Sequence, residues 1–216
     1  MLSGSAMRKP EPADGGRPDE STVISRHATE LAAQLRAMSE ALFPPTSAKE
    51  LRRFTSGEAA RWIGVSDSRL RQLALAGEGP QPMTGPGGRR LYTLSEINAI
   101  RSILAASAKG QDKRIYLPRR VEGEKLQVIA LTNFKGGSGK TTTSAHLAQY
   151  LALRGYRVLA IDLDPQASLS ALFGAMPELD VKPNETLYGA LRYDDARRPL
   201  RDLIRKTYVE GLDLVP

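Results

Sequence analysis

Between Asn133 and Thr143 the chain reads Asn-Phe-Lys-Gly-Gly-Ser-Gly-Lys-Thr-Thr-Thr, with glycines and lysines set ahead of a run of hydroxyls. Residues of these types in this order can bind phosphate. The glycines let backbone N–H groups turn toward an anion, and a helix opening directly after them adds the positive end of its dipole. Lys140 is placed to reach terminal phosphates, and the Thr141 hydroxyl to join a Mg²⁺ shell. Gly136, Gly137, Ser138, Gly139, Lys140, Thr141 and Thr142 are therefore the expected cradle for phosphate, with Lys135 at its front. A second candidate is Asp162-Leu163-Asp164-Pro165-Gln166. Its two carboxylates lie two residues apart, so one strand face presents both. They end an apolar run, which is where ligands sit in open α/β sheets.

Such groups work only if elements hold them. Val128-Ile129-Ala130-Leu131 has the length and composition of a buried parallel strand, and a helical pattern follows the loop as far as Gly155, a plausible helix stop. Val158–Ile161 reads as a second buried strand, carrying the aspartates at its carboxyl end. Strand, glycine loop, helix and strand predict an α/β fold with a doubly wound parallel sheet.

The loop departs from the usual pattern: Phe134 stands where its first glycine belongs, and Lys135 is an added cation. The string KGGSGKTTT resembles the deviant Walker A motif of the ParA/MinD family of ATPases, and the DxDPQ string is similar to that family's second signature. The resemblance implies a P-loop ATPase using ATP/ADP and Mg²⁺. In it Lys135 reaches across a nucleotide-sandwich dimer to the partner's phosphates, with Gly136 at the subunit contact. It makes Asp164 an organiser of the hydrolytic water and gives Asp162 to the Mg²⁺ shell beside Thr141. Lys135, Lys140 and Asp164 are then the catalytic set. Positioning and neutralisation of charge are most of what phosphoryl transfer requires.

Charge marks a second activity. The chain carries +7 overall, divided as −1 over residues 1–48, +8 over 49–120 and zero over 121–216. The middle segment therefore expects a polyanion. It also holds capping boxes at Thr55–Glu58 and Thr93–Glu96, and Ser66 as a further cap after a tight turn at Gly64. Two short helices joined in this way read as a helix-turn-helix. A Gly/Pro-rich stretch with Arg89 and Arg90 then reads as a wing. The whole run resembles the DNA-binding domain of MerR-type regulators, with Ser68, Arg69, Arg71, Gln72, Arg89 and Arg90 as contact candidates. A small helical packing domain with a basic surface is the alternative. Ile115–Arg120 is expected as an edge strand stopped by Pro118.

The expected organisation is a disordered tail over 1–20, a dimerisation helix over 21–45, the winged helix-turn-helix over 46–120 and a partial ATPase domain over 121–216. Ile24, Ala28, Leu31, Leu35, Met38 and Leu42 form the a/d seam of that first helix, closed by Pro44-Pro45. The same seam suits a helix docked on its own domain. The chain has no cysteine, which excludes disulfides and thiolate chemistry. No apolar run approaches the roughly 18 residues of a membrane span, so a cytoplasmic protein with no membrane contact is expected, and the ParA/MinD resemblance implies that it is nucleoid- or plasmid-associated.

The combination is most similar to ParA proteins with an N-terminal regulatory domain, of the RepA kind found on large plasmids. That resemblance implies a plasmid partition ATPase that binds DNA, represses its own operon, forms a homodimer and meets a ParB/RepB-type centromere-binding protein. A nucleotide domain of this kind needs about 200 residues, and far fewer follow the loop, so the chain is expected to be the N-terminal portion of a longer protein or a truncated product. Weak nucleotide binding without useful turnover is expected of it in isolation. The alternative function is a DNA-binding repressor whose nucleotide domain has no ATPase activity.

Overall fold

A computed structural model describes residues 20–42, 49–110, 112–176, 180–182 and 184–216. The disordered tail expected before residue 20 and the Pro44-Pro45 stop lie outside these residues. The chain divides into two units, Met1–Ser47 and Ala48–Pro216. In the first, α1 runs Glu20–Leu42, and Ile24, Leu31, Leu35, Met38 and Leu42 of the predicted seam are exposed along it.

The second unit begins with β1 (Phe54–Thr55), α2 (Ser56–Ile63) and α3 (Asp67–Leu75). Thr55 and Glu58 form a reciprocal capping box at the start of α2, and the Ser66 side chain accepts from the Arg69 N–H to start α3. Between them Gly64 sits at φ +87°, a left-handed conformation that costs a side-chain-bearing residue and not glycine. β2 (Met83–Thr84) and β3 (Arg90–Tyr92) make an antiparallel ribbon that β1 completes on its other edge. α4 (Leu94–Ser107) starts on the second capping box, at Thr93 and Glu96. It buries Leu94, Ile97, Ile100, Arg101, Leu104 and Ala105.

The edge strand expected over Ile115–Arg120 is absent: Asp112–Tyr116 form a short helix, α5. The Leu117 N–H continues it by one bond to Lys113 O, 2.9 Å. Pro118 then stops it, because the residue before proline is steered away from helical backbone. Tyr116, which suggested a strand, packs against the core from this helix.

α6 (Lys140–Leu153), β4 (Val158–Ile161), α7 (Ser168–Leu172), α8 (Leu187–Leu191), β5 (Arg205–Lys206) and β6 (Leu212–Val215) follow. β4 lies parallel to β6, in register Val158 to Leu212 and Ile161 to Val215, while β5 pairs antiparallel on the far side of β6. The α/β class is as predicted, but in place of a doubly wound parallel sheet the described residues form two three-stranded sheets, one antiparallel and one mixed, with β4–β6 the parallel pair. The strand expected at Val128–Leu131 does not form, and Val128 and Ile129 are exposed. A buried strand needs hydrogen-bonding neighbours for its backbone, and among the described residues no strand lies beside this one.

The boundary expected at residue 120 is not a gap in packing. Phe54, Ile63, Leu70, Ile97 and Leu104 share one buried cluster with Ala145, Ala148, Ala160, Phe173, Leu212 and Leu214. The basic half and the glycine-loop half are therefore joined through a common core.

Candidate functional site: a phosphate loop and a basic groove

α6 opens directly out of the glycine loop. Gly137 and Gly139 stand at φ +68° and +79°, backbone that only glycine adopts without strain. Gly139 is the residue before the helix, and no side chain caps the first turn. The free N–H groups of that turn are donors without a side-chain acceptor, which suits an anion. Lys140 curls back over the loop, its Nζ 3.5 Å from Lys135 O. The loop's front is pinned by the Lys135 N–H donating to Asn133 Oδ1, 2.9 Å. A Cβ placed on Gly136 would meet no atom within 4 Å, so that face of the loop is open. Ser138 is exposed, Thr141 half-buried and Thr142 exposed; Thr142 O meets His146 Nδ1 at 2.8 Å. These features fit a nucleotide's phosphates.

The four residues 154–157 join α6 to β4, and the two elements pack together, so the chain reverses and the end of β4 lies on the same side as the start of α6. The two aspartates at that end differ sharply. Asp162 is buried, and its Oδ2 accepts from both the N–H and the hydroxyl of fully buried Ser170 at 2.8 Å. Its Oδ1 accepts from the Asp164 N–H at 3.2 Å. The carboxylate expected in a Mg²⁺ shell thus holds the β4–α7 turn together. Asp164 is exposed, and its Oδ1 accepts from the Gln166 N–H at 3.0 Å. That leaves Asp164 a free oxygen toward solvent.

In the basic half, a groove of about 600 Å³ is lined by Thr55 and Gly57 at the start of α2, Arg71 on α3, and Arg89 and Arg90 on the β2–β3 ribbon. Three of the six predicted contact residues therefore meet in one place, beside the positive end of α2. Arg71 is partly neutralised by Asp67 one turn back, 3.2 Å away. Ser68, Arg69 and Gln72 are exposed on α3 and do not line the groove. Ser68 Oγ lies 3.2 Å from Ser66 Oγ, at the cap.

Arg52 and Glu58 brace the same helix start. They pair at 2.7 Å, and the Arg52 guanidinium lies 4.7 Å over the Phe54 ring. The hydrogen bond from Arg52, followed by that from the Thr55 N–H, holds the Glu58 carboxyl down to about 2.

Sequence reasoning passed over Arg101. It is buried on α4, donating from Nη1 to Asn98 Oδ1 (2.6 Å) and from Nη2 to Trp62 O (2.7 Å) and Leu153 O. Burial, then the neighbouring Arg154 charge, pull it down to about 10. Its signal in the sequence was a charge on the apolar stripe of Leu94, Ile97 and Leu104.

Among the described residues no helix is long and apolar enough to cross a membrane. Residues 129–213 match the model of the CobQ/CobB/MinD/ParA nucleotide binding domain. Over 194 residues, 90% of this chain, the sequence is 54% identical to a Rhizobium rhizogenes protein named "Putative replication protein A", of which it covers 48%. It is 35% identical over 177 residues, 80% of the chain, to 42% of Protein SopA of Escherichia coli K12. The sporulation initiation inhibitor protein Soj of Bacillus subtilis is 44% identical over 90 residues, 42% of this chain and 33% of that one. The chain spans about half the length, or less, of these relatives.

Proposed function

We propose, for a chain that belongs to the ParA family, that it is the nucleotide- and DNA-binding part of a plasmid partition ATPase that also represses its own operon. The observation that carries this reading is the shared core. It joins an uncapped glycine loop, opening α6 beside a strand ending in aspartates, to a groove lined by three arginines.

Each half has a defined task. The loop N–H groups and Lys140 hold the phosphates of ATP or ADP, Thr141 takes a position in the Mg²⁺ shell, and Lys135 extends to the nucleotide of a second copy. Mg²⁺ supplies neutralisation of the charge that develops on the phosphoryl oxygens. Asp164, with an oxygen open to solvent, orients the attacking water. Asp162 acts from behind it by fixing the turn. α2, α3 and the ribbon form a winged helix-turn-helix in which Arg71, Arg89 and Arg90 meet phosphates, while Ser68, Arg69 and Gln72 face base edges. The exposed seam of α1 pairs with a second copy, and a ParB/RepB-type protein stimulates hydrolysis.

ATP hydrolysis with and without DNA, beside a Lys140→Ala control, tests the reading. Turnover that disappears in the control supports it. Failure to bind Mg-ATP, with the protein folded, refutes it. A second reading, a repressor with an inactive nucleotide domain, rests on the basic groove alone. DNA binding that persists with nucleotide bound and no hydrolysis distinguishes that case.

A further inference from the structure

Arg101 sits where the two halves meet, and its contacts are unusual in kind. At the end of α6 the chain closes a Schellman cap: the Tyr156 N–H donates to Leu151 O at 3.0 Å, and the Gly155 N–H to Ala152 O at 2.9 Å. That arrangement satisfies two of the helix's last carbonyls and leaves Leu153 O out. At the end of α2 the Gly64 and Val65 N–H groups both go to Ala60 O, and Trp62 O is left out. A single nitrogen, Arg101 Nη2, donates to both of these orphans. One buried cation therefore joins the negative ends of two helices, one from each half.

The consequence follows from where those helices begin. α6 is 14 residues long, so Arg101 lies about 20 Å down a rigid rod from the phosphate loop. α2 carries Thr55, Ser56 and Gly57 of the basic groove at its other end. The joint is built tightly: a Cβ at Gly155, which stands at φ +92°, would come within 3.3 Å of Arg101 Cδ, Nε and Cζ. Asn98, which receives Nη1, also donates to Glu210 Oε1 at 3.1 Å, tying α4 to the turn before β6. Exposed Lys49 makes a further tie between the halves, its Nζ donating to Ala171 O at 2.6 Å and Leu172 O at 3.3 Å, both at the end of α7.

We propose that Arg101 is the positioning residue through which phosphate-loop occupancy and DNA binding are coupled: α2 and α6 share one core, and within it Arg101 fixes their two ends to each other. This rests on the function proposed above. Coupling of this kind is reciprocal, so DNA must change nucleotide affinity by the same factor by which nucleotide changes DNA affinity.

The test uses the intact protein, a fluorescent ATP analogue with Mg²⁺, and a labelled duplex of the DNA upstream of its own coding sequence. Each affinity is measured alone and with the other ligand saturating. The wild type is expected to show a coupling factor within the usual range of about 5- to 150-fold. Arg101→Met, and separately Gly155→Ala, which keeps the arginine and crowds it, are expected to bring that factor to within about twofold of unity. Each ligand alone should still bind within about threefold of wild type, which separates lost coupling from lost structure. A coupling factor kept by either folded variant overturns the inference, as does single-ligand binding that collapses with the coupling. A wild type that binds neither ligand refutes the function proposed above; one that binds both independently refutes only the role of Arg101.

Discussion

Asp162 and Asp164 stand two residues apart on one strand end, and replacing each with alanine should do opposite things. Asp162→Ala removes the acceptor for two donors of Ser170, which is wholly buried, and for the N–H of Asp164. Leaving a buried donor unsatisfied costs about 1–3 kcal/mol. The Asp164 N–H bond is only part-buried, whereas both Ser170 bonds are buried, so the two Ser170 donors dominate. They share one acceptor and are not additive, which gives an expected loss of about 3 kcal/mol. Asp164→Ala removes only an exposed acceptor for the Gln166 N–H, at 3.0 Å, and should cost less than about 1 kcal/mol. Guanidinium denaturation followed by circular dichroism reads both, with the midpoint shifting and the slope unchanged. In the proposed mechanism Asp164→Ala also abolishes hydrolysis while Mg-nucleotide binding survives. An Asp162→Ala variant within about 0.5 kcal/mol of wild type, a difference too small for two orphaned buried donors, would refute the structural assignment.

Three further outcomes are expected. The Glu58 carboxyl is depressed to about 2, so its stabilising contribution is complete above the ordinary carboxylate value and is lost as pH falls from there toward about 2. With the pair partly in water this amounts to about 1 kcal/mol, and Glu58→Gln should flatten the acid limb of a stability–pH curve by that much. Gly155→Ala should destabilise by about 1–3 kcal/mol, because it puts a side chain at φ +92° against Arg101. Thermal unfolding that shows the gain usual for Gly→Ala at a compatible site would contradict this. Arg89→Ala with Arg90→Ala should lower the slope of log binding constant against log salt by about two, leaving sequence preference nearly intact. A changed preference at constant slope would mean that these arginines read bases.

The local signals were legible wherever the physics is local. Both capping boxes, the turn at Gly64 and the stop at Gly155 depend on side chains within three or four residues of one another, and all form as read. Strands were harder because their partners are distant. Val158–Ile161 forms since Leu212–Val215 lies beside it, although only Ala160 is buried and Leu159 and Ile161 are exposed. The equally apolar Val128–Leu131 has no such neighbour among the described residues and stays out of the sheet. Composition alone cannot separate these two cases, because a strand is a property of a pair. Ile115–Arg120 departs for a related reason: its residues are β-prone, but the helix-compatible run from Asp112 and the packing of Tyr116 against the core outweigh them.

The site was legible in its residue types and less so in their assignments. Carboxylate spacing placed Asp162 and Asp164 on one face, and nothing in that spacing says which one the protein consumes internally. Ser170 decides it, eight residues on in α7, by offering two donors to Asp162. Arg101 makes the same point from the opposite charge. Ionised side chains are rarely fully buried without partners, so a lone arginine on the apolar stripe of α4 implied acceptors somewhere. Those acceptors are two backbone carbonyls, groups every residue carries and no sequence pattern marks. With two helix ends met by one guanidinium, the boundary drawn at residue 120 becomes a joint between the proposed activities.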